Sequence, residues 1–392
     1  MRSKVLLLLV SVLAVSCLED GVEPPSISKF DPPADGPGAL LRIYGAHFGD
    51  STSTVDVIFN GATVSVKPKA DTLLVLTIPE GISTGKVQIT ANKKTIMSED
   101  DFVVLTGRWK RLKDIPTDSP LGLATGFTLG GQGWICGGST NPVILSKTWK
   151  YDAATDTWAA GPVLPVGLYK TVSFTIGTDV YVGAGRTEAG SNFNFYKLAA
   201  DGSAWTETAG LPALRDFDDS GWSFSAGDLG FMMVTERDNT VNHMRVLAYH
   251  PNTDTWEQRG DAPGATARLY ALAASANGAG YFGLGSSTSN LKDWWKYNPG
   301  TDTWTAQADY PGSTTVGLAA FTIGNSIYVV GDEQRCWEFN TATNAWTQRT
   351  SMPYTRSFAS AFAIGSKGYI STGSANIPPI GFLQKDLWEF SN

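Results

Sequence analysis

Basic side chains recur beside aromatic ones, each three to five residues after a repeated proline. A guanidinium or ammonium group binds a carboxylate, and an aromatic ring can stack against a cation or a ligand face. This combination is typical of a site for an anionic or carboxylated sugar. The candidates are Tyr169 with Lys170, Arg215 with Asp216 and Phe217, Arg268 with Tyr270, and Tyr354 with Arg356.

Residues 107–392 contain a sequence repeat, and its third unit departs from the pattern of the other units. Met233-Val-Thr-Glu236-Arg237 places an acid and a base where another unit has Gly137-Gly138. Such an exception indicates function, although a salt bridge in a divergent unit would produce the same pattern. A single acid or base with an arginine is enough for sugar isomerisation. Glu236, Arg215 and Arg237 are therefore the candidate catalytic residues, although they form no complete catalytic set.

The histidines predict no metal site. His47 has no second His or Cys at ligand spacing, and we interpret His243 and His250 as surface turn residues. The chain also has no Walker or Cys-x-x-Cys motif. We expect neither a metal nor a cofactor.

Composition narrows the class of protein. The formal net charge of -7 argues against a nucleic-acid partner. With 42 glycines, 13 tryptophans and only 17% charged residues, the chain fits a turn-rich all-β protein. Its 392 residues suit two or three domains, and we expect a monomer.

The first residues have the form of a targeting segment. Arg2 and Lys4 precede an apolar run that ends before Cys17, so we assign residues 1–16 to a signal peptide and 17–24 to a tether. Ala14-Val-Ser-Cys17 resembles a bacterial lipobox, which implies acylation of Cys17. The alternative is an ordinary secretory signal beside a free thiol. Leu18-Glu-Asp20 is similar to the acidic export signal of Bacteroidetes surface lipoproteins, which implies the outer membrane and the cell surface, or otherwise the periplasmic face or secretion.

The other two cysteines are Cys136 and Cys336. They fall in repeat units that are not neighbours, so we expect no disulfide between them. We interpret both as small buried apolar residues.

Residues 25–106 predict a β-sandwich, because six or seven short alternating runs are separated by Gly, Pro and Asn-Gly turns. The element Gly45–Gly49 and the hairpin Val57–Gly61 resemble those of IPT/TIG immunoglobulin-like domains. The resemblance implies a spacer or an interaction module.

A repeated sequence motif runs through residues 107–392. An aromatic strand end, a polar turn and a Trp recur in copies such as Tyr249-His-Pro-Asn-Thr-Asp-Thr-Trp256. Self-similarity at roughly 40 to 50 residues, with short strands in each unit, is typical of propeller blades. Six tryptophans define the units: Trp109, Trp158, Trp205, Trp256, Trp304 and Trp346.

The two ends of this region complement each other. Trp109–Pro116 is a Trp strand without its unit, whereas Asp386–Phe390 ends a unit that lacks its Trp strand. Joining them closes six blades by strand exchange and removes two open sheet edges. The glycine pair, aromatic strand, turn and Trp resemble kelch repeats. The expected fold is all-β: an N-terminal immunoglobulin-like β-sandwich followed by a six-bladed kelch-type β-propeller.

Strand alternation places the segment after each proline and the glycine-pair segment on one rim. The basic candidates would therefore surround a concave mouth. The resemblance also offers a structural alternative, because kelch repeats often use an arginine here to bond the backbone between blades.

These features favour a surface lipoprotein that binds a glycan or a partner protein through the propeller rim, with the membrane contacted only through Cys17. An alternative is a sugar mutarotase or epimerase acting on an acidic sugar, similar to secreted kelch propellers that convert sialic acid. A purely structural role in the envelope is the second alternative.

Overall fold

The computed structural model describes residues 23–140, 142–212, 221–237, 242–263, 268–313, 315–377 and 380–392. Strands and turns account for the secondary structure of these residues, and no helix occurs among them. Consequently, no helix in this part of the chain could cross a bilayer. The all-β class predicted from the sequence is confirmed.

The chain forms two compact units. The first comprises the described residues up to Ala34 together with Leu41–Val103, and the second comprises Asp35–Leu40 and Val104–Asn392. The strands of residues 25–104 are β1 (Ser26–Asp31), β2 (Ala34–Asp35), β3 (Leu40–Ala46), β4 (Val55–Asn60), β5 (Ala62–Val66), β6 (Leu73–Thr77), β7 (Ser83–Ala91), β8 (Lys94–Met97) and β9 (Val103–Val104).

The N-terminal unit is an immunoglobulin-like sandwich, as predicted. One sheet has the order β1-β3-β6 and the other has the order β5-β4-β7-β8. The ring of Phe102 lies 5.6 Å from that of Phe30 on β1 and 6.0 Å from that of Phe59 on β4. Phe102 therefore links the two sheets through the core. The β4–β5 hairpin turns at Gly61, whose positive φ suits glycine.

The remaining strands are β10 (Arg108–Leu112), β11 (Thr125–Leu129), β12 (Gln132–Cys136), β13 (Thr148–Asp152), β14 (Thr157–Ala160), β15 (Val172–Ile176), β16 (Asp179–Gly183), β17 (Arg186–Thr187), β18 (Gly190–Ser191), β19 (Phe195–Leu198), β20 (Trp205–Thr208), β21 (Gly221–Ala226), β22 (Leu229–Arg237), β23 (Asn242–His250), β24 (Thr255–Asp261), β25 (Leu272–Ala276), β26 (Ala279–Gly283), β27 (Trp294–Asn298), β28 (Thr303–Ala306), β29 (Ala319–Ile323), β30 (Ser326–Asp332), β31 (Arg335–Asn340), β32 (Ala345–Arg349), β33 (Ser360–Ile364), β34 (Lys367–Ser371), β35 (Ser374–Ile377), β36 (Ile380–Leu383) and β37 (Leu387–Ser391).

These strands form six four-stranded antiparallel sheets, which we number along the chain. Sheet 1 is β11-β12-β13-β14, sheet 2 is β15-β16-β19-β20, sheet 3 is β21-β22-β23-β24, sheet 4 is β25-β26-β27-β28, sheet 5 is β29-β30-β31-β32 and sheet 6 is β33-β34-β37-β10. Two short hairpins, β17-β18 and β35-β36, are inserted in sheets 2 and 6. We call the first strand of each sheet in this order its inner strand.

Sheet 6 is assembled from both ends of the C-terminal unit. Trp109 on β10 lies opposite Phe390 on β37, and Leu112 lies opposite Leu387. Trp109 also donates a hydrogen bond from Nε1 to the carbonyl of Thr350 in the outer part of sheet 5, at 2.9 Å. A strand that begins the unit thus completes the sheet that ends it.

The inner strands of successive sheets contact one another. Contacts run in the order β11, β15, β21, β25, β29 and β33, and β33 also contacts β11. Two of the connecting hydrogen bonds run from a backbone amide to a serine hydroxyl, at 3.1 Å from Thr175 to Ser225 Oγ and at 2.7 Å from Ser225 to Ser275 Oγ. Thr322 Oγ1 donates onward to the carbonyl of Ser275, at 2.9 Å. These bonds satisfy backbone groups on inner strands, which have no strand partner on that side.

The repeated Tyr, Asp and Trp residues join neighbouring sheets. In sheet 3, Tyr249 Oη donates to Asp254 Oδ1 at 2.8 Å, and the same carboxylate accepts from the Ala209 amide of sheet 2 at 2.8 Å. Trp256 Nε1 donates to the Ala209 carbonyl at 2.8 Å. Asp254 adopts positive φ in the turn, where Asp is among the residues that tolerate this conformation. The repeat is therefore a connector between sheets as well as a hairpin.

Cys136 and Cys336 are free and buried, as predicted. Burial raises the pKa of both thiols well above the ordinary value. They pack as small apolar side chains in separate clusters of the core.

Candidate functional site

A cavity of about 680 Å³ is lined by the inner strands of all six sheets. On each inner strand, two alternate positions are partly exposed and line the cavity. All twelve of these positions are occupied by Gly, Ala, Ser or Thr. They are Gly126, Thr128, Ser173, Thr175, Ser223, Ser225, Ala273, Ser275, Ala320, Thr322, Ala361 and Ala363.

Small residues at these positions keep the cavity open, because a large side chain at any of them would project into it. The hydroxyl groups also bond across the sheets: Ser223 Oγ donates to the Ser173 carbonyl at 2.8 Å, and Thr128 Oγ1 donates to the Ala363 carbonyl at 2.5 Å. The described wall is therefore uncharged and combines apolar surface with hydroxyl groups. Hydroxyl oxygens have further lone pairs that can accept hydrogen bonds from a ligand.

The mouth of the cavity is formed by one residue from each of five sheets, two positions before the inner strand. All five have positive φ between 54° and 71°: Leu123, Lys170, Tyr270, Gly317 and Phe358. Backbone bonds join some of them, at 2.9 Å from the Lys170 amide to the Leu123 carbonyl and at 2.8 Å from the Phe358 amide to the Gly317 carbonyl. The equivalent position in sheet 3 lies outside the described residues.

Two segments of a sheet meet at this mouth, as strand alternation predicts. One precedes the inner strand and the other follows the second strand. Isolated bridges pair Tyr169 with Arg186 and Ser357 with Ser374, and two other sheets have equivalent bridges. In sheet 4 the corresponding glycine segment includes Gly285, where a Cβ would lie 2.5 Å from the Leu269 carbonyl oxygen. The close approach of these two segments requires glycine there.

Two side chains at the mouth are large, aromatic and exposed. Tyr270 is 44% exposed and Phe358 is 36% exposed. Their ring centroids are 5.4 Å apart with an interplanar angle of 63°, an edge-to-face contact. Trp222 of sheet 3 also lines the cavity. Among the described lining residues, Lys170 carries the only charge.

Arg268 and Arg356 do not reach this mouth, so their assignment to the binding rim is wrong. They are 1% and 2% exposed. Arg268 donates to both carboxylate oxygens of Asp293 at 2.9 and 2.8 Å, and Arg356 donates to both oxygens of Asp386 at 2.7 and 2.8 Å. Each arginine also bonds a backbone carbonyl of its own sheet, Leu284 for Arg268 and Thr372 for Arg356. The bond to a neighbouring sheet that the structural alternative predicts is present for Arg268, which donates to the Pro263 carbonyl at 3.4 Å.

Arg268 and Arg356 are buried because they occupy the same position of the repeat, and this position is buried in each of the five sheets in which the structure describes it. It lies two residues before the mouth residue and is occupied by Leu121, Leu168, Arg268, Thr315 and Arg356, all of which are buried. A charge in such a position requires a carboxylate partner. Asp386 supplies this partner. Burial by itself would raise the pKa of its carboxyl, but the Arg356 guanidinium, together with the Trp388 hydrogen bond and the charge of Arg111, outweighs this effect and lowers that pKa.

The two remaining aromatic candidates lie outside the cavity lining. Tyr169 is partly exposed and its backbone pairs with Arg186. Tyr354 is exposed, and its ring lies 6.1 Å from that of Trp388. The aromatic partner that lines the mouth of sheet 6 is instead Phe358, which the sequence analysis missed. It stands two residues after Arg356, as Tyr270 stands two residues after Arg268, and this spacing was the available signal.

The exceptional third unit forms a longer hairpin. The β22–β23 ladder continues beyond the usual end through Glu236 opposite His243 and Arg237 opposite Asn242. Glu236 Oε2 accepts from Arg245 Nε at 2.9 Å, and Arg245 also pairs with Asp261 at 2.9 Å. Glu236 is therefore part of an ion-pair network on sheet 3 and does not line the cavity. Arg215, Asp216 and Phe217 lie outside the described residues.

The histidine interpretation needs one correction. His243 and His250 lie within β23 and are not turn residues, because that strand extends to nine residues. His243 Nδ1 is 3.3 Å from Asp261, and His250 Nε2 is 2.8 Å from Glu257. His47 has the positive φ expected of a turn residue. The described residues contain no cluster of His, Cys, Asp and Glu that could hold a metal ion.

The sequence Gly81-Ile-Ser83-Thr-Gly85 matches the spacing of a hydrolase nucleophile elbow. That motif requires a strand, a sharp turn and a helix. Here Ser83 begins strand β7, and its Oγ accepts a hydrogen bond from Asn60 Nδ2 at 2.9 Å. The local fold is therefore not that of an elbow.

Comparison with known proteins identifies the N-terminal unit. A comparison with curated proteins finds no match to the chain. Residues 25–104 match the family model of the IPT/TIG domain. The protein therefore carries an IPT/TIG domain in its N-terminal part.

Proposed function

We propose that the C-terminal unit is a six-bladed kelch-type β-propeller whose blades are sheets 1 to 6. The contacts between the inner strands of sheets 6 and 1 support a closed ring. The β10–β37 pairing supports closure by strand exchange, which leaves fewer free sheet edges. In this proposal the cavity is the central channel and the mouth residues surround one opening of it.

This propeller acts as a carbohydrate-binding module. The supporting observation is a cavity of about 680 Å³ with a neutral hydroxyl-rich wall and exposed aromatic rings at its mouth. Small-molecule sites are concave and combine apolar surface with a few polar groups. A cavity of this size suits one or two sugar rings. A protein partner usually needs about 800 Å² of its surface to be covered.

Catalysis has less support among the described residues. The candidate acid Glu236 is bonded to Arg245 and lies outside the cavity lining. A general acid or base must reach the proton that it transfers. Binding without conversion of the sugar is therefore the favoured activity.

An experiment on the full chain tests binding in the cavity. Ala320 projects into it from β29, so Ala320→Phe should obstruct the cavity and weaken binding on a glycan array. Ala159 is exposed on β14, and Ala159→Phe is the matched control. Loss in the first variant alone, with unchanged circular dichroism, supports the proposal. Silence of the unmodified protein across acidic and neutral glycans contradicts it and favours a protein partner or a structural role.

We also propose that the chain is an outer-membrane lipoprotein, anchored through Cys17 and displayed at the cell surface. The basic and apolar residues before Cys17 and the acidic residues after it support this localisation. The measurement is metabolic labelling with an alkynyl fatty acid in a bacterial host. Cys17→Ala should abolish labelling, whereas Cys136→Ala should leave it unchanged. Equal labelling of both variants would contradict the anchor.

A further inference from the structure

We propose that Tyr270 and Phe358, together with Lys170, form a subsite at the cavity mouth that binds a sugar ring carrying a carboxylate. The inference rests on the proposed carbohydrate-binding function and names its ligand class. The two aromatic side chains contact the apolar face of the ring. Lys170 binds the carboxylate.

The aromatic pair is held in an uncommon backbone conformation. Tyr270 and Phe358 both have a φ of 55°. Bulky residues rarely adopt this conformation, and each instance costs on the order of 1 kcal/mol or more. The rings nevertheless remain 44% and 36% exposed instead of being buried in return. All five described mouth residues share this positive φ. The backbone of the repeat therefore sets the conformation, and the exposed aromatic rings are what distinguish these two positions.

Gly317 leaves room for the aromatic contact. It occupies the mouth position of sheet 5, between the sheets that carry Tyr270 and Phe358. A Cβ on Gly317 would lie 3.3 Å from Cζ of Phe358, closer than ordinary van der Waals contact. With glycine there, the ring of Phe358 crosses sheet 5 and reaches Tyr270, at a centroid distance of 5.4 Å. The two rings thus form one continuous apolar surface.

Lys170 supplies the charge selectivity. It occupies the mouth position of sheet 2, two sheets from Tyr270 and two sheets from Phe358 in the proposed ring of six. Its ammonium group has no ion pair with a carboxylate of the described residues, and the rest of the described lining is uncharged. The described part of the mouth therefore offers a cation facing an apolar surface. An ammonium group desolvated by a ligand favours a carboxylate.

This arrangement matches a pyranose acid more closely than a neutral sugar or a simple anion. The C–H face of a pyranose is apolar and can cover the aromatic surface, while the carboxylate lies at the edge of the ring. A neutral sugar would leave Lys170 without a counter-charge. A small inorganic anion would leave the aromatic surface in water.

The test uses the full-length protein and calorimetric titration with matched sugars. The probes are glucuronate against glucose, galacturonate against galactose, and N-acetylneuraminate. At least one acid should bind about tenfold more tightly than its neutral counterpart, equivalent to about 1.4 kcal/mol. Lys170→Met should remove this preference, and Lys170→Arg should retain it.

Variants of the aromatic surface complete the test. Tyr270→Ala and Phe358→Ala should each weaken binding about tenfold, an effect of 1.4 kcal/mol. Tyr354→Ala is the control, because Tyr354 is equally exposed but lies outside the lining. Circular dichroism and the unfolding midpoint establish that each variant is folded.

The possible failures are distinguishable. Equal affinity for acidic and neutral sugars, or binding unchanged by Lys170→Met and Phe358→Ala, overturns this subsite and leaves carbohydrate binding intact. If the glycan array and all the monosaccharides show no binding, the proposed function fails as well.

Discussion

The ring of Phe224 on sheet 3 occupies the space that a side chain at Gly280 on sheet 4 would need. The same pairing of an inner-strand Phe with a second-strand Gly joins sheets 2 and 3, 5 and 6, and 6 and 1. At these four pairs of neighbouring sheets, a phenylalanine of one sheet packs over a glycine of the next.

Gly280→Val should destabilise the protein by about 1–3 kcal/mol, because the added side chain overlaps a buried ring. Denaturant unfolding measures the loss. Gly300→Ala is the control, since Gly300 lies in an open turn where a Cβ would meet only an Asn298 oxygen at 3.4 Å. Equal losses in both variants would show that the Phe224 contact is not the cause.

Between sheets 4 and 5 the sizes are reversed. Ala274 stands at the phenylalanine position and Ile327 at the glycine position, and both are buried in one cluster. Ala274→Phe should overpack the core and Ile327→Gly should leave a cavity. The double variant should lose at least 1 kcal/mol less stability than the sum of the single variants, because it restores the Phe-over-Gly arrangement. Strict additivity in a double-mutant cycle would refute this size compensation.

The buried pair of Arg356 with Asp386 predicts a large asymmetry between variants. Arg356→Met leaves a buried carboxylate without its partner and should cost about 3–5 kcal/mol. Arg356→Met with Asp386→Asn should cost less, because no buried charge remains uncompensated. Arg111→Gln, which removes an exposed pair with Asp114, should change the stability by less than about 1 kcal/mol. Thermal or denaturant unfolding compares the three.

The same pair predicts acid destabilisation. The pKa of Asp386 is lower in the folded chain than the ordinary value, despite burial, because Arg356 stabilises the carboxylate. The folded state therefore binds fewer protons. The contribution of this carboxylate to the free energy of unfolding is complete above about pH 4, the usual carboxyl pKa. It is lost as pH falls through the lowered pKa of the folded chain. Unfolding free energies between pH 2 and 6 should fall more steeply in the native chain than in Asp386→Asn.

The two buried thiols should be unreactive in the native protein. Burial raises the pKa of Cys136 and Cys336, so little thiolate forms near neutral pH. In a Cys17→Ser variant at pH 8, a thiol reagent should react with neither cysteine until denaturant is added. Rapid modification before unfolding would contradict their burial.

Much of the local architecture could be predicted from the sequence. The repeated Tyr, Asp and Trp residues predicted the hairpins, because each turn is determined by residues within a few positions. The unmatched strands at Trp109 and Trp388 predicted their own pairing, since an open sheet edge favours a partner. Alternation of strand direction placed the post-proline segment and the glycine pair at one end.

Whether a charged residue lies in the core or at the cavity mouth could not be predicted in the same way. Arg356 and Lys170 both follow a repeated proline, but Arg356 is buried against Asp386, 30 residues away, and Lys170 lines the cavity mouth. The segment after each proline contains a buried position and, two residues later, a position that lines the cavity mouth. Arg356 occupies the buried position of its sheet, whereas Lys170 occupies the mouth position of its own. The sequence by itself determined the repeat, the turns and the strand that joins the two ends. Only the tertiary structure decided which candidates meet at the cavity, because burial and ion pairing depend on partners that folding brings together from distant parts of the chain.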